Sequence, residues 1–172
     1  SKLIRLVLQN SEQSMINLAD ELQALELYVA LERLRLNDKF VYDMQVAEDI
    51  RPEQLQYPPL VLQPMVENAI WHGLSQKSGP GKLQVRLHKV PNGLEIVIAD
   101  NGIGRVAAAG LRRKSRKGKS FGVVITRERL RLAFARQPDL PTGKLEIEDL
   151  QDADGQPTGT RVRIVTPIVP IS

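Results

Sequence analysis

Four short segments hold the residues whose types and spacing could do chemistry. The first is Asp100-Asn101-Gly102-Ile103-Gly104, which follows directly on an apolar run at residues 94–99. Two glycines so spaced let backbone approach a ligand closely, and a carboxylate at a strand end can accept a hydrogen bond from an exocyclic amine. The same residues also make an ordinary tight turn. The second is Glu67-Asn68-Ala69-Ile70-Trp71-His72-Gly73. On a helix, Asn68 and His72 lie four apart and share a face, with Trp71 on nearly the same side. A side-chain amide oxygen is a hard ligand suited to Mg²⁺, which keeps waters and substrate phosphates in its remaining positions. The alternative is a polar surface stripe, with His72 at a helix C-terminus beside Gly73.

The third segment is Gly118-Lys119-Ser120-Phe121-Gly122, ahead of a helix. Small residues before a helix N-terminus offer backbone donors to phosphate, and the cations before them add charge, although a solvated basic loop would have the same composition. It is not a Walker loop, because no glycine stands five residues before Gly118 and no strand precedes it. The fourth is Gly159-Thr160, a turn followed by a β-branched residue that opens the last strand.

These segments must be positioned by a mixed set of elements. Residues 18–36 carry two apolar stripes at helical spacing, Leu18, Leu22, Leu25 and Val29 on one and Leu27, Leu31 and Leu34 on the other, with Asn17 as N-cap and Asp20 and Glu21 in the first turn. A helix with two apolar sides touches two things. Residues 1–9 read as the tail of an earlier helix. Alternation at Phe40, Tyr42, Met44 and Val46 predicts a strand. Pro58-Pro59 opens a helix expected to run to Gly73 with a distorted first turn at Pro64. Alternation on both sides of Pro91-Asn92-Gly93 predicts a hairpin. Residues 105–119 read as a long functional loop, 123–135 as a helix, and the chain closes on two strands around Asp152-Ala153-Asp154-Gly155. The expectation is an α+β two-layer sandwich with a mixed, mostly antiparallel sheet, helices on one face and an added N-terminal helix.

Composition narrows the function classes. A chain of 172 residues with 42% hydrophobic residues suits one domain plus a short appended element. No stretch approaches a bilayer span, so the chain is expected to be soluble. The absence of cysteine excludes disulfides and thiolate chemistry. A net charge of +4 is too small to imply nucleic acid. The positive charge gathers in residues 112–119, six of which are Lys or Arg.

An Asn on a helix, then Asp-x-Gly-x-Gly, then a glycine-bearing basic loop, then Gly-Thr before a final strand, resembles the nucleotide boxes of the GHKL ATPases, whose fold is the Bergerat sandwich. The run from Pro58 to Gly73 more specifically resembles the LytS-type sensor histidine kinases. Glu21-Leu22, Tyr28, Leu31-Glu32 and Arg35 are similar to the segment that links that family's phosphoacceptor region to its ATPase domain. The resemblance implies a boundary near residue 37, with 1–37 ending the dimerisation and phosphoacceptor helices and 38–172 forming the ATP-binding catalytic domain.

It further implies ATP and Mg²⁺ as ligands. Asn68 would hold the metal between phosphates, with His72 on the same face, and Asp100 would accept from the adenine amine. Gly102 and Gly104 would shape the adenine pocket, Gly122 would hinge a lid over the phosphates, and Thr160 would close the adenine end. Ser120 stands where the family has the lid's first glycine. Glu67 is the local carboxylate for a nucleophile, although several relatives place the base one turn earlier, where this chain has Pro64. The implied reaction is transfer of the ATP γ-phosphoryl to a histidine upstream of residue 1, followed by relay to a response regulator. The implied parent is a homodimer in a bacterial inner membrane with this domain in the cytoplasm. Two other readings remain, a GHKL ATPase that hydrolyses ATP to drive a conformational clamp, and a non-catalytic pseudokinase or interaction module.

Overall fold

The computed structural model describes residues 15–91, 93–115, 122–135, 139 and 143–172, with only the backbone of 111–115. The chain begins with strand β1 (Ile16–Asn17) and helix α1 (Leu18–Arg35). Asn17 caps the helix, its side chain accepting from the Ala19 N–H at 2.8 Å, and Asp20 and Glu21 complement the dipole of the first turn. Asn37 and Asp38, both at positive φ, turn the chain into strand β2 (Phe40–Val46). After strand β3 (Leu55–Tyr57) comes helix α2 (Leu62–Asn68), followed without a break by a π-helical turn, Ala69–Leu74. Strands β4 (Gly81–Val90) and β5 (Gly93–Asp100) form the expected hairpin. Helices α3 (Arg105–Ser115) and α4 (Gly122–Ala135) follow, then β6 (Lys144–Gln151), β7 (Pro157–Thr166) and β8 (Val169–Pro170).

The main sheet has the order β2-β4-β5-β7-β6 and is antiparallel except where β2 runs parallel to β4. Its inner face presents Leu83, Val85, Ile96, Ile98, Val162 and Ile164 to the helices, in one core with Leu18, Leu25, Leu62, Met65, Ile70 and Phe134. Its outer face carries a charge ladder. Glu95 is held between His88 (3.1 Å) and Arg163 (2.7 Å), and Arg161 pairs with Glu148. This is the α+β sandwich that the alternation and helical spacing predict.

Three local features differ from expectation. The helix predicted from Pro58 begins only at Leu62, so Pro64 is its third residue, where a missing N–H costs no intrahelical bond. Residues 105–115, read as loop, are helical, because Ala107 to Ala109 and the Leu, Arg and Lys that follow are strong helix formers. A small sheet, β1-β3-β8, joins the two ends of the described chain through pairs too short for alternation to reveal. Residues 1–9, Ser120 and the rest of 116–121 lie outside the described residues.

The start of α2 is fixed from another helix. Leu60 sits at φ 57°, and the N–H groups of Leu60, Val61 and Leu62 converge on the Glu21 carboxylate at 3.3, 3.3 and 3.2 Å. Burial pushes the Glu21 carboxyl above its ordinary range, while these donors and the charge of Arg129 pull it back. Glu21→Ala leaves buried donors unmet and is expected to cost about 2 kcal/mol, read as a lower urea midpoint at unchanged slope.

Candidate functional site

Helix α2 brings Asn68 in as its last residue, and the π-turn carries the chain on to Gly73. The wider turn is defined by the Ser75 N–H reaching back to Ile70 O at 2.7 Å, and such turns occur frequently at functional sites. Gly73 then meets the turn after β5. A β-carbon on Gly73 would lie 2.8 Å from Asp100 Oδ1, and one on Gly102 would sit inside the Gly73 backbone. The Ile103 N–H donates to Gly73 O at 3.3 Å, and the Gly102 N–H donates to Asp100 Oδ1 at 2.8 Å. Both residues must be glycine for the helix end and the strand end to touch.

Asp100 is thereby buried at 6% exposure on the inner face of the sheet, opposite Thr160 in register. Burial raises its carboxyl to a pKa of about 6, against the backbone donors of Gly102 and Thr160 and the charge of Lys77. A cavity of about 260 Å³ opens beside it. Its apolar walls are Met65, Ile98, Val123, Ile147 and Val162, and its polar lining includes Asn68, His72, Asp100, Thr160 and the backbone of Gly104. Ile98 and Val162 precede and follow Asp100 and Thr160 by two residues on the same face, so strand periodicity alone could have named these two walls.

The cavity has two distinct ends. Asp100 lies at the Gly73 end, and five residues earlier, about 7 Å along the axis, Asn68 lies against Gly122, whose β-carbon would be 3.3 Å from Asn68 Nδ2. The N-terminus of α4, with its outward N–H groups, therefore starts at the Asn68 end. The sequence reading missed Arg105 and Arg127, which also line the cavity. Arg105 makes a two-pronged ion pair with Asp149 at 2.7 and 2.8 Å, tying the root of α3 to the edge strand β6, and this contact holds the Asp149 carboxyl below its usual range. Arg127 donates to Leu145 O at 3.3 Å. Neither arginine carries a local signal, because their partners lie on a strand far along the chain.

Of the residues singled out from sequence, Asn68, His72, Asp100, Gly104 and Thr160 line this one cavity. Gly122 abuts Asn68, and Gly102 supports Asp100 through Gly73. Ser120 lies outside the described residues. Glu67 is exposed, is not part of the lining, and acts by its charge on Tyr28 of α1. Gly102→Ala is expected to separate α2 from the Asp100 turn. The thermal unfolding midpoint should fall by about 4–8 °C, the effect of about 2 kcal/mol in a domain of this size.

No family profile matches the chain. Its sequence is 34% identical over 104 residues to the sensor protein LytS of Oceanobacillus iheyensis, covering 60% of this chain and 17% of that protein. It is 29% identical over 119 residues to the sensor histidine kinase BtsS of Escherichia coli, covering 69% of this chain and 20% of that one. The chain thus spans about a fifth or less of the length of these relatives. In structure it is similar to the catalytic domain of histidine kinase ThkA, with TM-score 0.60, 16% identity, and 91% and 97% of the two chains covered. Full-length ShkA in complex with AMPPNP gives TM-score 0.55 at 15% identity over 86% of this chain and 30% of that one. In sequence the chain is thus similar to LytS-type sensor histidine kinases over part of its length, and its fold is that of histidine kinase catalytic domains.

Proposed function

We propose that this chain binds ATP with Mg²⁺ and presents the γ-phosphoryl to a histidine supplied from outside these 172 residues. The observation that carries the reading is Asp100. It is a buried carboxylate whose fixed donors come from backbone, with acceptor capacity left toward a cavity that also holds Thr160 and Asn68. Such a group recognises an exocyclic amine, and the apolar walls suit a purine ring. Gly122 leaves beside Asn68 a space that a β-carbon would fill, at a helix N-terminus suited to phosphate.

When bound, the metal neutralises charge on the transferring phosphates. The chain's own residues bind and orient. Asn68 offers its amide oxygen, Gly122 lets backbone approach the phosphates, and His72 lines the same cavity. Gly102 and Gly104 shape the base pocket and Thr160 closes it. The resemblance would assign Ser120 to a lid and the cations of residues 112–119 to charge screening. Glu67, exposed one residue before Asn68, is assigned to meet the incoming acceptor. Such positioning and charge screening account for most of phosphoryl-transfer catalysis.

The two histidines do not suit the acceptor role, since His72 lines the cavity and His88 is paired with Glu95 on the outer sheet face. The acceptor helix would come from the same or a sister protomer of a homodimeric parent. Relay would then pass to a response regulator, as ThkA is seen in complex with the response regulator TrrA. No helix among the described residues is long and apolar enough to cross a membrane. A parent anchored in the bacterial inner membrane with this domain in the cytoplasm fits the reading. The pseudokinase alternative is disfavoured by Asn68 and Asp100 sharing one cavity, and a nucleotide-driven clamp is disfavoured by the likeness of α1 to the kinase linker.

Calorimetric titration with AMPPNP and Mg²⁺ tests the reading. Asp100→Asn should weaken binding 10- to 100-fold, the scale of a charge-assisted hydrogen bond, and Asn68→Ala should abolish the Mg²⁺ dependence. The pH profile follows from the raised pKa. An amine donor favours ionised Asp100, so affinity should be full above pH 6 and fall as pH drops through about 6. In the ligand-free chain the sign is opposite. A raised carboxyl favours folding at low pH and this contribution is lost as pH rises through about 6. Asp100→Asn should therefore stabilise the ligand-free chain at pH 7.5, by up to about 3 kcal/mol, while losing nucleotide. Incubated with ATP alone, the chain should form no acid-labile phosphohistidine, and its appearance would place the acceptor within these residues.

A further inference from the structure

The contacts of α1 with the far end of the nucleotide-binding helix are not used by the reading above. The Arg35 guanidinium lies over the Trp71 ring, 5.0 Å from its centroid. Arg35 is itself oriented by Glu32 at 3.4 Å, a side chain only 6% exposed, and the Tyr28 hydroxyl lies beside the Trp71 indole. Trp71 follows Asn68 by three residues on the π-turn and is absent from the cavity lining, so Asn68 meets the cavity while Trp71 meets α1.

We infer that Arg35, with Tyr28 and Glu32, positions Asn68 by fixing the roll of the nucleotide-binding helix through Trp71. This inference rests on the proposed role of Asn68 as the metal ligand. Glu21 holds the first turn of α2 but acts close to the helix axis and resists rotation about it poorly. Asn68 is displaced by any roll. With its amide oxygen about 6 Å from the axis, a roll of about 10° moves that oxygen by about 1 Å, several times the ~0.2 Å tolerance of a metal–ligand distance. A π-turn is also a less regular support than the α-helix around it. An aromatic ring clamped off-axis by a cation and a hydroxyl supplies the missing restraint. Asp100 stands at the end of β5, off the helix that would roll, and is held there by the Gly102 N–H, so it depends on this clamp far less than Asn68 does. Metal-dependent affinity and base recognition should therefore separate.

The test is titration of the 172-residue chain with AMPPNP, once with Mg²⁺ and once in EDTA, for wild type, Arg35→Ala and Arg35→Lys, alongside thermal unfolding. Arg35→Ala should lose about tenfold affinity with Mg²⁺, change less than twofold in EDTA, and unfold within about 2 °C of wild type, since Arg35 is largely exposed. Arg35→Lys, which keeps a cation over the ring, should recover most of the loss. An equal loss under both conditions, or no loss with Mg²⁺, overturns the inference. A wild type whose affinity ignores Mg²⁺ overturns the assignment of Asn68 itself, before any variant is compared, and this inference with it.

Discussion

Two glycine backbones in contact, Gly73 at the end of the π-turn and Gly102 in the turn after β5, set the distance between the helical layer and the end of the sheet. No side chain fits between them. Asp100 is buried because its carboxylate is trapped in that contact, with Gly73 on one side and the Gly102 N–H at 2.8 Å on the other. Its raised pKa, its orientation and the depth of the cavity all follow from that approach. On the opposite edge the carbonyl of Asp100 packs against Gly159, which removes a third β-carbon from the same corner. The site is thus a place where backbone packs on backbone, and hydrophobic side chains supply only the walls.

Glu21, Glu95 and Asp100 are carboxylates buried to a similar degree with different partners. Glu21 is surrounded by three N–H donors and capped by its own fold. Glu95 is sandwiched between His88 and Arg163, so both of its oxygens are occupied by cross-strand partners. Asp100 is buried to a similar degree; its donors are the backbone N–H groups of Gly102 and Thr160, and among the described residues no cation contacts it directly. Burying a carboxylate without an ionic partner costs stability. The lack of a contacting cation separates Asp100 from Glu95, and its place on the cavity wall separates it from Glu21.

Sequence carried much of this and missed the rest for identifiable reasons. The alternation at residues 83–98, and Val162 and Ile164 after Gly159-Thr160, mark strands, because one face is buried and the other bears charges. Asp100, Asn68 and Thr160 stood out because polar groups beside glycine or on an otherwise apolar run need a reason. The π-turn was not legible, since its register depends on Gly73 meeting a turn that is distant in sequence. Arg105 pairs with Asp149 across 44 residues, and Glu21 caps N–H groups 39 to 41 residues away. Periodicity reports faces and cannot report such partners. Residues 105–115 were misread because Gly110 and clustered charge suggested a loop, while the propensity of the alanines and long side chains prevailed.

Helix α1 shows how different terms divide the labour. Leu18, Leu22, Leu25 and Val29 enter the same core as Leu62 and Met65 of α2 and Ile70 of the π-turn. At roughly 1.5–3 kcal/mol per buried side chain, that burial decides whether α1 is attached. It is non-directional, however, and would tolerate sliding or rolling between the two helices. The Arg35 to Trp71 contact, worth about 0.5–1 kcal/mol at an exposed site, adds little to attachment. Such contacts have geometry, and together with the Glu21 carboxylate they select one orientation among those the core would accept. α1 also packs against β1, β3 and the turn at residues 52–54, so its orientation is fixed by the small sheet as well as by the helix that carries Asn68. Leu31 and Leu34, exposed at 47% and 73%, lie on the side away from that packing and add nothing to it.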